Sequence, residues 1–304
     1  MKIGLIDLDN SGKFPNIALM KISGYYKDNG HKVEWYQPLF NEGYDIVYVS
    51  KVFSWSKDYQ YPINSKKIIY GGVAYGYDNK LPDEIEHHYP DYSIYSFAKN
   101  TAYGFLTRGC PRGCEFCNVQ AQQGKTSRKV ADLKEFWKGQ KKIVLLDPNI
   151  LASREWKELF QQLIDSKAKI EFSQGLDIRL MTEEKAKMLN QIKVKMLHFA
   201  WDQYEMETFK KLTEFRRYFK FDDRKLGVYM LVNFNTTLEQ DLERIYKLRN
   251  LGYTPYVMRF KDYNCKNLKL NKNNIYNKLA RWTNNKTAWF SSNTFEEYLK
   301  KIKN

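Results

Sequence analysis

The apolar residues of the first hundred positions come in short runs: KIGLIDL at 2–8, KVEWY at 32–36, YDIVYVS at 44–50 and KKIIYGG at 66–72. Runs that are short and nearly continuous predict strands of a parallel sheet, buried on both faces. PNIALMKISGYYKDNG, 15–30, instead repeats its apolar residues at helical spacing and stops at Gly30. These residues predict a parallel α/β unit. A long surface connection, GGVAYGYDNKLPDEIEHHYPDYSIYS, follows at 71–96, with a short helix around 82–88.

From Tyr103 the alternation restarts on a larger scale. Six strand candidates, YGFLTR (103–108), KIVLLD (142–147), KIEFSQ (169–174), VKMLHFA (194–200), KLGVYMLVN (225–233) and TPYVMRF (254–260), are interleaved with helical stretches at 153–167, 182–192, 204–219 and 238–252. Thr182 suits an N-cap, Gly252 suits a C-terminal stop, and Trp156, Leu159, Phe160 and Leu163 recur at helical spacing. Consecutive strand–helix units predict a parallel barrel or part of one, whose chemistry sits at the C-terminal ends of the strands. The expected boundaries are an N-terminal domain at 1–98, a barrel-like domain at 99–260 and an extension at 261–304. The extension carries Cys265, Trp282, Trp289 and two short helical patterns.

A chain of 304 residues can bury a large core without disulfides. Acidic Asp7 and Asp9 interrupt the first apolar stretch, and no run approaches the ~20 apolar residues of a membrane span. A cytoplasmic protein without a membrane segment is expected. The net charge of +15 is unevenly spread: residues 1–100 carry 11 Lys, no Arg and 12 Asp plus Glu, a net of −1, so the remainder carries +16. That asymmetry admits a nucleic acid or another polyanion as partner, and equally a solvated lysine-rich surface.

Three of the four cysteines, Cys110, Cys114 and Cys117, lie in LTRGCPRGCEFCNVQ, 106–120, just after the first strand of the second run. In a reducing compartment such a cluster binds metal more often than it forms disulfides. Three thiolates from one loop can grip three corners of a cubane iron–sulfur cluster and leave the fourth iron open to a substrate or cofactor. The competing reading is a zinc site completed by Cys265. A four-cysteine zinc site usually has two paired knuckles, whereas Cys265 stands alone, far along the chain.

CPRGCEFC, with its C-x3-C-x2-C spacing and an aromatic before the last cysteine, resembles the cluster loop of the radical S-adenosylmethionine (SAM) enzymes. The resemblance implies a six-unit (βα)6 partial TIM barrel. It also implies one [4Fe–4S] cluster on Cys110, Cys114 and Cys117, and SAM chelated by the open iron. Reduction of the cluster, by a flavodoxin or ferredoxin, would cleave SAM to methionine and a 5′-deoxyadenosyl radical that abstracts hydrogen from substrate. Phe116 would pack near the adenine.

The same resemblance makes other strand ends candidates for the SAM or substrate side. Asp147 and Asn149 end the second barrel strand, where a helix-start turn formed by Asp-Pro-Asn is the alternative. Gln174, Asp177 and Arg179 follow the third. Arg179 suits a carboxylate through its planar fork, the alternative being a mutual Asp177–Arg179 pair. Trp201 and Asp202 end the fourth strand, and Asn233 and Asn235 the fifth. His198 reads as an interior histidine.

The first domain is similar to the Rossmann-like cobalamin-binding domain that precedes many radical SAM barrels. Histidine-ligated cobalamin proteins carry Asp-x-His-x-x-Gly after the first strand. Here DLDNSG, 7–12, has Asp9 in place of the histidine, and a carboxylate is a poor substitute on cobalt. A degenerate or substrate-docking domain is therefore expected ahead of a cobalamin holder. Only Cys265 remains outside the motif, so a second four-cysteine cluster is not available. Cys265 is a weak catalytic candidate, as a hydrogen donor or methyl acceptor, against a small buried residue. The expected function is radical SAM modification of a substrate, a nucleic acid or else a small metabolite or peptide. The reading from another class is a non-enzymatic metal-stabilised nucleic-acid-binding protein.

Overall fold

The structure, a computed structural model, describes residues 1–10, 14–38, 43–260 and 274–302. The chain divides into two compact units, Met1–Lys169 and Ile170–Asn304.

The first unit opens with β1 (Lys2–Asp7), α1 (Ile17–Asp28), β2 (Lys32–Trp35), β3 (Tyr44–Ser50) and β4 (Ser65–Gly71). These strands form one parallel sheet in the order β2-β1-β3-β4. The most continuous apolar run takes a central place, where Ile3 and Leu5 are fully covered, whereas β4, at the edge, leaves Ile68 and Tyr70 exposed. Helix α1 starts because the Asn16 side chain accepts from the Leu19 amide, one of the orphan donors of a first turn. It lays Leu19, Ile22 and Tyr26 against Ile3 and Leu5. Gly24 lets this helix approach the connection closely, since a Cβ there would stand 2.4 Å from the Tyr89 carbonyl oxygen.

The rest of the unit holds α2 (Asp83–Glu86), β5 (Thr101–Gly104), β6 (Thr107–Arg108), α3 (Val119–Gln123), β7 (Arg128–Lys129), β8 (Lys142–Leu145) and α4 (Trp156–Ser166). Strands β5 and β8 pair in parallel, Thr101 opposite Lys142 and Gly104 opposite Leu145. The stretch YGFLTR, read as one strand, is two: after Gly104 the chain leaves the parallel sheet, and Thr107–Arg108 pair antiparallel with Lys129 and Arg128. The reason lies outside the stretch, in the side chain of Asp147 described below.

The second unit continues β9 (Lys169–Phe172), which begins at the boundary, with α5 (Glu183–Leu189), β10 (Leu197–Ala200), α6 (Met206–Arg216), β11 (Leu226–Val232), α7 (Leu238–Asn250) and β12 (Thr254–Arg259). Strands β10, β11 and β12 are parallel neighbours, and Ile170 bridges Val194 in the same sense. Strand β11 is buried almost throughout, as its unbroken apolar run requires. Beyond the undescribed residues 261–273 lie α8 (Ile275–Asn284), α9 (Lys286–Ser291) and α10 (Phe295–Lys301). Three helices replace the two patterns expected, because extended Asn285 ends α8 and caps α9 by accepting from the Ala288 amide at 3.0 Å. Trp282 is fully buried between Trp289 and Phe295. Among the described residues no helix is long and apolar enough to cross a membrane.

Candidate functional site

The cysteines sit on a loop, residues 109–127, whose two ends are tied by the β6–β7 ribbon. Gly109 opens it with φ +88°, and a Cβ there would stand 2.1 Å from the Thr126 carbonyl oxygen, so the sequence needs glycine at this point. The Cys110 amide donates to the Gly124 carbonyl at 3.2 Å, and the Gln120 side-chain amide donates to the Cys110 carbonyl at 3.1 Å. Farther out, the Cys117 amide closes a turn on the Cys114 carbonyl at 2.9 Å. Backbone bonds thus fix the base of the loop that carries the three cysteines. None of the three is in a disulfide; Cys110 and Cys114 are half-buried and Cys117 is exposed. Phe116 is half-buried beside Cys117.

Two residues from the end of β8 support this loop. The side-chain amide of buried Asn149 lies 3.5 Å from the Cys110 sulfur, and the backbone carbonyl of Asn149 accepts from the Ser127 hydroxyl at 2.8 Å, which ties both ends of the loop to one residue. Asp147 faces the backbone instead. Its carboxylate accepts from the amides of Leu106 (3.3 Å) and Thr107 (2.5 Å) and from the Thr107 hydroxyl (2.7 Å). Those bonds draw the chain out of β5 and into β6, the run-in to the cysteines. Burial pushes the Asp147 carboxyl up from 3.8 to about 6, against the opposing effect of the hydrogen bonds.

Among the described residues no three His, Cys, Asp or Glu side chains converge as the ligands of a single metal ion must. A cubane cluster asks for something else, since each thiolate binds a different iron. By donor type the loop fits it: three undisulfided thiols on one short segment. Cys265, the other thiol, lies outside the described residues.

The other candidates lie in the second unit. Gln174 is exposed. Asp177 caps the turn after β9, accepting from the Arg179 amide at 3.2 Å and from its Nε at 2.8 Å, while Arg179 also reaches Glu205 at 3.2 Å. The Asp177–Arg179 pair is formed, and a second acid shares it. Asp202 accepts from the Leu231 amide at 3.0 Å, and burial raises its pKa, partly offset by that bond and by Arg244 and Arg179. Asn233 and Asn235 both have positive φ, +62° and +52°, and the Asn233 amide donates to Asp241 at 3.2 Å. His198 lies flat on Tyr229, ring centroids 4.3 Å apart, and burial lowers its pKa.

One pair escaped the sequence reading. Arg244 and Asp241, both fully buried, bond at 2.5 Å, and Arg244 also donates to the carbonyls of Trp201 (2.5 Å) and Leu231 (2.7 Å). The arginine therefore stitches together the ends of β10 and β11, beside Asp202 and Asn233. The available signal was spacing: 241, 244, 245 and 248 form one helical stripe, which Ile245 and Leu248 mark as apolar.

In the first unit the sheet carries no histidine at the position after β1. Asp9 stands there with both oxygens engaged, by the amides of Val52 (2.5 Å) and Phe53 (3.3 Å) and by the Ser56 hydroxyl (2.5 Å). It ties down the loop after β3, and a histidine-ligated cobalamin does not fit that donor set.

No family model and no curated protein sequence matches the chain. Among solved structures it is similar to the radical S-adenosylmethionine methyltransferase TsrM from Kitasatospora setae, determined with cobalamin and a [4Fe–4S] cluster bound. The TM-score is 0.62 at 12% sequence identity, over 85% of this chain and 74% of that one. At that identity the likeness is one of fold alone: the chain has a mixed α/β fold with parallel sheets, similar to that enzyme's.

Proposed function

We propose that the protein is a radical SAM enzyme with one [4Fe–4S] cluster, whose catalytic part is a (βα)6 partial barrel starting near residue 99. The observation that carries this reading is the C-x3-C-x2-C loop. It follows β6 on a backbone fixed at its base, with the Asn149 amide set against the Cys110 sulfur. Cys110, Cys114 and Cys117 would hold three irons. A cluster held there would supply one-electron reduction of SAM, its electron coming from a flavodoxin- or ferredoxin-like reductant.

The chain's own residues would then orient and shield. Asp147 fixes the run-in to the loop, and Asn149 offers an N–H to a thiolate, which tempers its charge. Phe116 would cover the adenine. Asp202, Asn233 and the Asp177–Arg179 pair, at strand ends of the second unit, and Gln174, exposed, would be the polar groups for SAM or substrate. A histidine-ligated cobalamin would have no ligand here, because Asp9 stands at the histidine's position and is committed to the loop after β3.

The test is anaerobic reconstitution with iron, sulfide, reductant and SAM, followed by metal analysis and assay for 5′-deoxyadenosine. About four irons and four sulfides per chain, with the cleavage product, support the reading. About one zinc and no sulfide would sink it.

A further inference from the structure

We propose that the N-terminal edge of the β5–β8 strand pair is a docking surface for the phosphate backbone of a nucleic acid. Six exposed lysines gather there from three separate stretches of the first unit. They are Lys99, just before β5; Lys138, Lys141 and Lys142, leading into β8; and Lys167 and Lys169, at the end of α4 and the start of β9. The backbone brings the stretches side by side. Thr101 is in register with Lys142, and the Lys169 amide donates to the Lys141 carbonyl at 3.0 Å. Lys167, in the left-handed region at φ 53°, turns the chain back towards that edge.

The charge there is uncompensated. The local segments FAKNT (97–101), KGQKK (138–142) and KAK (167–169) contain no Asp or Glu. Lys138 lies over the Tyr89 ring at 3.9 Å, and none of the six has an ion pair among the described residues. Elsewhere in the same unit Lys21, Lys51 and Lys129 are each held by a carboxylate within 3.0 Å. With neighbouring strands about 4.8 Å apart, the edge concentrates positive charge on the scale of successive phosphates.

Two observations favour a nucleic acid over an acidic protein. The cysteine loop departs beyond the far end of β5, about 10 Å of strand away from Thr101. An electron donor has to approach that loop, so this edge is the wrong place for it, whereas a long polyanion can be held at both. In addition, Phe97, two residues before Lys99, is 40% exposed. Such a ring stacks with an unpaired base and serves no purpose for a run of carboxylates. The exclusion of an electron-donor protein rests on the cysteine-loop reading, whereas the test needs neither cluster nor SAM, so its failure and the failure of that reading are distinguishable.

The test is fluorescence anisotropy of the full chain with a labelled single-stranded RNA of roughly 20 nucleotides, titrated with KCl from about 25 to about 300 mM. The wild type should bind with a log-linear loss of affinity in salt. K141Q/K142Q/K169Q should bind at least about tenfold more weakly near 100 mM, with a salt slope flatter by about 2. The triple Lys→Arg variant should keep affinity and slope, which shows that charge rather than a folding defect is read. Phe97→Ala should weaken RNA and leave polyglutamate unaffected. Absence of wild-type binding at the lowest salt, an unchanged slope in the glutamine variant, or polyglutamate competing as well as RNA at equal charge would each overturn the proposal. The last outcome would assign the edge to an acidic protein.

Discussion

Replacing Asp147 by Asn tests how the cysteine loop is anchored. The buried carboxylate accepts three hydrogen bonds, from the Leu106 and Thr107 amides and the Thr107 hydroxyl, yet its pKa rises from 3.8 to about 6 because burial outweighs them. In the unfolded chain the group loses its proton near 3.8. Between there and about pH 6 the unfolded chain is ionised while the folded one keeps the proton. This contribution to stability is therefore fully present below the window and is lost as pH rises through it. About two pKa units at ~1.4 kcal/mol each give on the order of 3 kcal/mol. Asparagine does not titrate, so the wild-type advantage over the variant should shrink by that amount from about pH 4 to about pH 7. Asp7 and Asp202, also raised by burial, act alike in both proteins and cancel in the difference. Superimposed is a pH-independent loss of about 1–3 kcal/mol, because the new NH2 group faces one backbone N–H and leaves it unpaired. Urea unfolding across that pH range gives the first quantity, and amide exchange at Leu106 and Thr107 isolates the anchor from unfolding elsewhere in a two-unit chain. A stability difference that is flat in pH refutes burial as the source of the shift. Unchanged exchange at Thr107 refutes the carboxylate as the anchor of β6.

Three further outcomes are expected. Gly109→Ala forces a side chain into φ +88° and towards the Thr126 carbonyl, so it should cost at least about 2 kcal/mol and lower iron retention, read by thermal unfolding and iron content; a wild-type melting temperature would refute the strain argument. Cys114→Ala should abolish retention of a reconstituted cluster while Cys265→Ala preserves it, as read from the visible absorption of the cluster, and loss of the cluster in the second variant would mean that the ligands are misassigned. Arg244→Met leaves the Asp241 carboxylate buried and unpaired and should destabilise by about 3–5 kcal/mol, most of it recovered in the double variant Asp241→Leu/Arg244→Met. A double-mutant cycle measures the coupling, and independence of the two changes would show that the pair does not act as a unit.

The parts of this molecule legible in its sequence are those in which neighbours along the chain decide the outcome. The apolar runs at 2–8, 44–50 and 225–233 coincide with β1, β3 and β11, because a parallel strand covered on both faces has to be apolar at nearly every position. The cysteine motif is equally local: spacing, glycine and thiol all fall within one loop. What the chain does not announce are the ties across long separations. YGFLTR has the pattern of one strand, yet it breaks after Gly104, because a carboxylate 40 residues on captures the Thr107 amide and β7 offers a second ribbon. The strand-end Asp147 stands out as polar in an apolar context, but nothing in its surroundings says that its partners are backbone amides. Asp241 and Arg244 hide for the opposite reason: in a helix rich in charge, two more charges attract no notice until their place on the apolar stripe is counted.

This division bears on the chemistry as well as on the fold. A loop that presents three thiols can be recognised by its own residues, but it can hold them in a fixed geometry only if something distant holds the loop. Here that work falls to two residues at the end of β8. Asp147 fixes the strand entering the loop, while Asn149 touches the first sulfur with its side chain and accepts from Ser127, near the loop's exit, with its backbone carbonyl. The motif and its support are thus separable. A chain could keep CPRGCEFC and lose the Asp-Pro-Asn turn, and it would keep its ligands without their geometry. Substitution at 147 or 149 should therefore lower the occupancy and order of a cluster without removing a single cysteine, and the cysteine variants should leave the Leu106 and Thr107 amides as protected as before.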